Sequence, residues 1–125
     1  MDKLQFINEQ MEAIGIPYNL IEWTSDEIPN RYWVGEVTET PTSAENGYEE
    51  STVLLTGTTR GSWLDLHKDR EKIKRHFPAS CGLRASTESG SIAVFYSGSF
   101  PVPTGEADLK RIQVNLDIKE WKGTI

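Results

Sequence analysis

Two histidines, one cysteine, a glycine-containing turn ahead of a helical pattern and a pair of adjacent glutamates are the groups in this 125-residue chain with types suited to chemistry. His67 and His76 are nine residues apart on one predicted helix. That is about two and a half turns, which sets the rings on opposing sides and too far apart to share a metal. They read as helix-surface imidazoles. The run Thr56-Gly57-Thr58-Thr59-Arg60-Gly61-Ser62 precedes a helix as a phosphate loop does. It lacks the four-residue spacer and the Gly-Lys-Ser/Thr ending that bring a lysine to the phosphates. Cys81 follows a helix end, where the dipole disfavours a thiolate. As the sole cysteine it forms no intrachain disulfide and no all-cysteine metal site. No Gly-x-Ser-x-Gly elbow occurs, and neither histidine has a neighbouring context that commits it to a triad. Glu49 and Glu50 on a strand point to opposite faces and share no proton. The expectation is a protein without catalytic residues, metal or cofactor. The enzyme alternative is a small acid–base catalyst pairing Glu or Asp with His67 or His76.

The elements that hold these groups read as helices and strands in alternating blocks. Leu4, Ile7, Met11 and Ile14 recur at helical steps over residues 2 to 14, and Gly15 with Pro17 stops the helix. Tyr18 to Trp23 has strand composition, followed by turn residues Thr24, Ser25, Asp26, Pro29 and Asn30. Tyr32 to Glu39 alternates, with Trp33, Gly35 and Val37 on one side. Residues 40 to 47, ending in Asn46-Gly47, predict a long hairpin tip, and Tyr48 to Thr58 resumes an extended pattern with Val53 and Leu55 inward. Ser62 with Asp65 resembles a capping box for a second helix, whose stripe is Trp63, Leu66, Ile73 and Phe77, interrupted by Arg70. Its outer face takes Lys68, Asp69, Arg70, Glu71, Lys72, Lys74 and Arg75, with Glu71 and Arg75 spaced for an ion pair. Pro78 ends it.

Leu83 to Glu88 and Ile92 to Ser97 predict a further hairpin through Ser89-Gly90. Gly98 to Asp108 contains Pro101 and Pro103 and reads as a loop, neither helix nor central strand. The last strand alternates most cleanly, with Ile112, Val114, Leu116 and Ile118 facing one way. The order α-β-β-β-α-β-β-β predicts a single α+β domain over residues 1–125, with two helices on one face of a mainly antiparallel sheet.

Charge along these elements is segregated. The formal net charge of −6 argues against a broad polyanion-binding surface and is too small, with a basic helix included, for an acidic nucleic-acid mimic. Between Tyr32 and Thr59 there are five acids, Glu36, Glu39, Glu45, Glu49 and Glu50, and no Lys or Arg. From Arg60 to Arg75 six bases outnumber three acids. No apolar run approaches the ~18 residues of a membrane span and the N-terminus lacks a signal-peptide core, so the expectation is folding in the cytoplasm with no membrane partner.

The runs Leu54-Leu55-Thr56-Gly57-Thr58-Thr59-Arg60-Gly61-Ser62-Trp63-Leu64 and Pro101-Val102-Pro103-Thr104-Gly105-Glu106, with Lys110 through Trp121, resemble small tail terminator and neck proteins of tailed bacteriophages and prophages. The resemblance implies an α+β fold and a homo-oligomeric, hexameric ring on the end of the tail tube. Such a ring stops tube polymerisation and offers the surface to which the head or its connector joins. It also implies no catalytic residues and no cofactor, a place in the virion neck, and partners in the tail tube protein and a head-closure protein. DNA would pass through the lumen without specific binding. The candidate contact residues are Glu36, Glu39, Glu45, Glu49 and Glu50 of the acidic hairpin, Lys68, Lys72, Lys74 and Arg75 of the basic helix, and Phe100 and Val102 of the proline-containing stretch. The acids either meet the basic helix of a neighbour or line the lumen, two uses the residues leave open. The stretches 40 to 47 and 98 to 108 are expected to order against tube or neck proteins.

Overall fold

Local periodicity becomes two helices and six strands in a computed structural model, which describes residues 3–20, 30–40, 48–87 and 90–122. In chain order these are α1 (Lys3–Ala13), β1 (Tyr18–Leu20), β2 (Arg31–Thr40), β3 (Tyr48–Thr59), α2 (Trp63–His76), β4 (Leu83–Thr87), β5 (Gly90–Val102) and β6 (Lys110–Lys122). The turn residues between Trp23 and Pro29, the hairpin tip with Glu45 and Asn46-Gly47, and the Glu88-Ser89 turn lie outside the described residues.

Helix α1 buries Phe6, Ile7 and Met11. It ends where Gly15 takes a φ of 74°, which lets the Ile16 N–H reach back to the Met11 carbonyl at 3.1 Å. At the head of α2 the Ser62 hydroxyl accepts from the Leu64 N–H at 3.0 Å, satisfying one of the donors a helix start leaves without a partner. Asp65 in the first turn and Lys74, Arg75 and His76 in the last complement the helix dipole.

The sheet order is β1-β2-β3-β6-β5-β4. The expected α+β class is found, but the sheet is mixed: β1 runs parallel to β2, with Tyr18 beside Trp33 and Leu20 beside Gly35, and the other pairings are antiparallel. Strands β3 and β6 pair along their whole length at the centre, from Tyr48 with Trp121 to Thr59 with Lys110. After β3 the chain leaves the sheet through α2, returns as β4 at the far edge, and β5 and then β6 pair back toward β3. Alternate residues of the central strands, including Val53, Leu55, Val114, Leu116 and Ile118, form the core with Leu66, Ile73 and Phe77 of α2 and the buried face of α1. Trp33 is buried over Gly57, its partner across the β2–β3 ladder. A Cβ at Gly57 would stand 2.5 Å from the indole, so the glycine makes the slot into which the ring fits.

Four expectations require correction. Gly98 to Val102 is strand, not loop: after an irregularity between Tyr96 and Gly98, β5 continues along β6 until Val102 meets Arg111. Strand β4 reaches only to Val94, so among the described residues the later half of β5 has a strand neighbour on one side alone. A proline there removes no ladder bond when its nitrogen faces the open edge. Asp69, assigned to the outer face of α2, is 2% exposed on the Leu66–Ile73 stripe. Its Oδ2 accepts from Arg31 Nε at 2.7 Å and Trp33 Nε1 at 2.9 Å, two donors from β2 that offset the cost of burying the carboxylate. Trp63, assigned to the core stripe, is 38% exposed at the first position of α2, where it borders an open groove instead of packing into the core. Glu71 pairs through its carboxylate with Arg70 at 3.1 Å, leaving Arg75 Nε on the Glu71 backbone carbonyl at 3.4 Å.

Candidate interaction surfaces

The acids of the β2–β3 hairpin do not form one patch. Strand alternation sends Trp33, Gly35 and Val37 toward the helices, so exposed Glu36 belongs to the opposite, open face of the sheet. Glu50 shares that face and is half-buried, whereas Glu49 is exposed on the helix-bearing side. The backbone of Glu39 pairs with Ser51, and Glu45 lies outside the described residues. Because β6 lies against β3, the open face also carries Asp117, Arg111 and Lys119, with Lys119 directly beside Glu50. Arg111 Nε donates to Thr58 Oγ1 at 3.3 Å. Lys119 and Arg84 stand over the Phe95 ring at 5.7 and 6.0 Å, giving this face mixed charge above an aromatic centre.

Lys68, Lys72, Lys74 and Arg75 are exposed on α2, as their spacing predicts, and Lys74 stands 5.7 Å from the centre of the Tyr96 ring. With Asp69 turned inward onto Arg31, the solvent side of the helix is more basic than the raw count suggests. His76 contacts Gln10 of α1 at 2.6 Å, and burial lowers its pKa below the ordinary histidine value. Burial also pushes the Tyr18 hydroxyl up to about 12. His67 is exposed, with its ring 6.1 Å from that of Trp63.

Trp63, His67 and Arg70 of α2 form one wall of an open groove of about 440 Å³. The other is made by Ser99, Phe100 and Pro101 of β5, with Ile112 of β6 also lining it. Trp63, Leu64 at 59% and Phe100 at 47% are the exposed large hydrophobic residues among those described, and Phe100, paired with Gln113, directs its side chain to the open face of the sheet. Phe100 is a sequence-predicted contact residue placed here; Val102, two residues on, is half-buried. Trp63 and Leu64 were not legible as surface residues. The signal that finds them is their place immediately after the Ser62 cap, where the first turn of a helix can border open surface.

Beside the groove, Arg60 pairs with Asp108 at 2.8 Å and Glu106 at 3.6 Å. Thr104 Oγ1 donates within hydrogen-bond range of the Leu109 and Glu106 carbonyls, at 2.7 and 3.0 Å. The turn after β5 is thus tied down within the subunit itself.

Among the described residues no three His, Cys, Asp or Glu side chains are grouped to hold a metal ion, and no helix is long and apolar enough to cross a membrane. Cys81 is exposed. The arrangement offers surfaces for binding: a basic helix face, a mixed-charge sheet face and an apolar groove with a cationic wall. The sequence matches no protein-family model and no curated protein.

Proposed function

We propose that this chain is a structural subunit of the bacteriophage virion, a tail terminator that closes the finished tail tube as a ring, stops its growth and presents the surface to which the head-closure protein joins. The observation carrying this reading is the resemblance of the Leu54–Leu64 and Pro101–Trp121 runs to that family. These runs are neighbours in the fold: Leu55 pairs with Val114 and Thr58 with Arg111 at the centre of the sheet. The reading involves no covalent chemistry and no cofactor; the work is done by surfaces.

A ring needs two different surfaces on each subunit, one meeting the other on the neighbour. The exposed bases Lys72, Lys74 and Arg75 on α2 supply one, and the hairpin acids Glu36 and Glu49, on the two faces of the sheet, supply candidates for the other. Complementary charge sets register and speeds encounter more than it adds affinity. Acids turned to the lumen would leave passing DNA unbound, since phosphate binding draws on clustered bases.

The test combines light scattering with negative-stain imaging in the presence of purified tail tubes. Rings that cap tubes are expected from the wild-type chain. The triple reversal K72E/K74E/R75E is expected to remain a folded monomer that forms none, because exposed helix charges add little to stability. A protein that forms no rings and caps no tubes overturns the reading. Co-sedimentation with tail-less heads in place of head-less tails reassigns it to head closure.

A further inference from the structure

We propose that two unlike faces of this chain bind each other between copies: the outer stripe of α2, headed by Leu64, seats on the open sheet face of a second copy, over Phe100, Asp117 and Glu50. The exposed apolar side chains point to that pairing. Leu64 at 59% and Phe100 at 47% are the most exposed large hydrophobic residues among those described. They lie on opposite sides of the subunit, because α2 covers the core face of the sheet while Phe100, level with Gln113, faces the other way. One copy cannot bring them together. A head-to-tail contact between two copies covers each with the other.

Charge divides in the same way. Helical spacing places Leu64, Lys68, Lys72 and Arg75 within one stripe about 80° wide, and all four are exposed. Glu71 falls in that stripe and is held by Arg70 at 3.1 Å. On the sheet Asp117 is exposed, and Glu50 stands one strand over and two residues along. Lys119 beside Glu50 lies over the Phe95 ring at 5.7 Å, and Arg111, near the other end of β6, donates to Thr58. The bases of one copy therefore meet carboxylates on the next.

The two rows also match in length. Leu64 to Lys72 is eight residues of helix, about 12 Å, and Leu64 to Arg75 is about 16 Å. From Phe100, Asp117 lies four residues further along β6 and one strand over, about 14 Å away, with Glu50 at about 22 Å. With Leu64 on Phe100, Lys72 comes to Asp117 and the long Arg75 side chain extends toward Glu50. A helix about 10 Å across covers two strands about 4.8 Å apart, so α2 lies along β6 and one neighbouring strand. The charges set direction and register, and the Leu64–Phe100 contact supplies the apolar anchor.

Closure of this contact into a ring rests on the assembly reading above; the pairing of the two faces does not. Analytical ultracentrifugation of the full chain is expected to show self-association that weakens as salt rises. The variants K72E/R75E and E50K/D117K, each checked for folding by thermal melting, are expected to associate at least about tenfold more weakly. An equimolar mixture of the two is expected to recover the wild-type strength, because every contact in an alternating assembly again joins opposite charges. A wild type that stays monomeric, variants that associate as it does, or a mixture that fails to recover overturns the proposal.

Register is tested by cross-linking in a C81S background. L64C mixed with F100C is expected to give a disulfide-linked dimer under mild oxidation in higher yield than either variant alone. Equal yields from L64C alone mean a symmetric helix contact and overturn the proposal. A chain whose faces pair but that caps no tubes overturns the terminator reading and keeps this interface. E50K/D117K rings that form and cap tubes as the wild type does overturn the interface and keep that reading.

Discussion

The two ends of α2 carry similar aromatic side chains and treat them differently. At the C-terminal end Phe77 is fully buried, its carbonyl accepts the Tyr96 N–H at 2.9 Å, and the neighbouring His76 reaches Gln10 of α1. At the N-terminal end Trp63 and Leu64 are exposed, and Trp63 lines an open groove with Ser99 and Pro101 of β5 and Ile112 of β6. The helix is one rigid rod, so the difference lies in what surrounds each end. Where other elements enclose the helix end, an aromatic ring becomes core; where the helix end borders an open groove, the same kind of ring becomes surface.

That contrast can be broken most strongly at the locked end. Phe77→Ala removes a fully buried ring and is expected to cost about 3–5 kcal/mol, measured by urea unfolding. Trp63→Ala, tested alongside it, is expected to cost less than about 1 kcal/mol. Equal losses would show that the end at the groove is as tightly held as the other.

Asp69 sits between the two ends and ties the helix to β2. Asp69→Ala leaves Trp33 Nε1 without its acceptor and Arg31 without its partner, for an expected loss of about 3 kcal/mol in the same assay. A variant as stable as wild type would mean that the tie contributes specificity without net stability.

The smallest effect is pH-dependent and confined to the locked end. Burial depresses the His76 pKa in the folded chain, so the unfolded chain binds its proton more readily. The stabilisation from neutral His76 is complete above the unfolded value near ~6.5 and is lost as pH falls through the lower folded value. Melting temperatures of wild type minus those of His76→Gln are expected to decline slightly over that window and then level off. A difference that grows as pH falls would reverse the sign and place a favourable partner for the imidazolium at this site.

Much of the secondary structure was legible because its signals are local. The strict alternation of Ile112, Val114, Leu116 and Ile118 survives as the core face of β6, and Gly15 and Ser62 end and begin helices as their chemistry requires. The candidate site was legible only in pieces. Phe100 was read as a contact residue and is exposed, but Trp63 read as core, since a helical stripe does not reveal which of its turns the rest of the fold encloses. Asp69 read as surface, since its two donors are 36 and 38 residues away in sequence.

By itself, then, the amino-acid order determined both helices, most of the strands and how charge divides along the chain, because periodicity and capping act over a few neighbouring residues. Only the tertiary structure decided that β1 runs parallel, that β5 passes Pro101 along an open edge, and that β6 brings Lys119 beside Glu50 and mixes charges the chain keeps apart. The same long-range packing brought Trp63 and the Ser99–Pro101 segment, far apart in sequence, to the lining of one groove. Strand neighbours and the enclosure of a helix end depend on contacts between distant residues, and no local pattern encodes them.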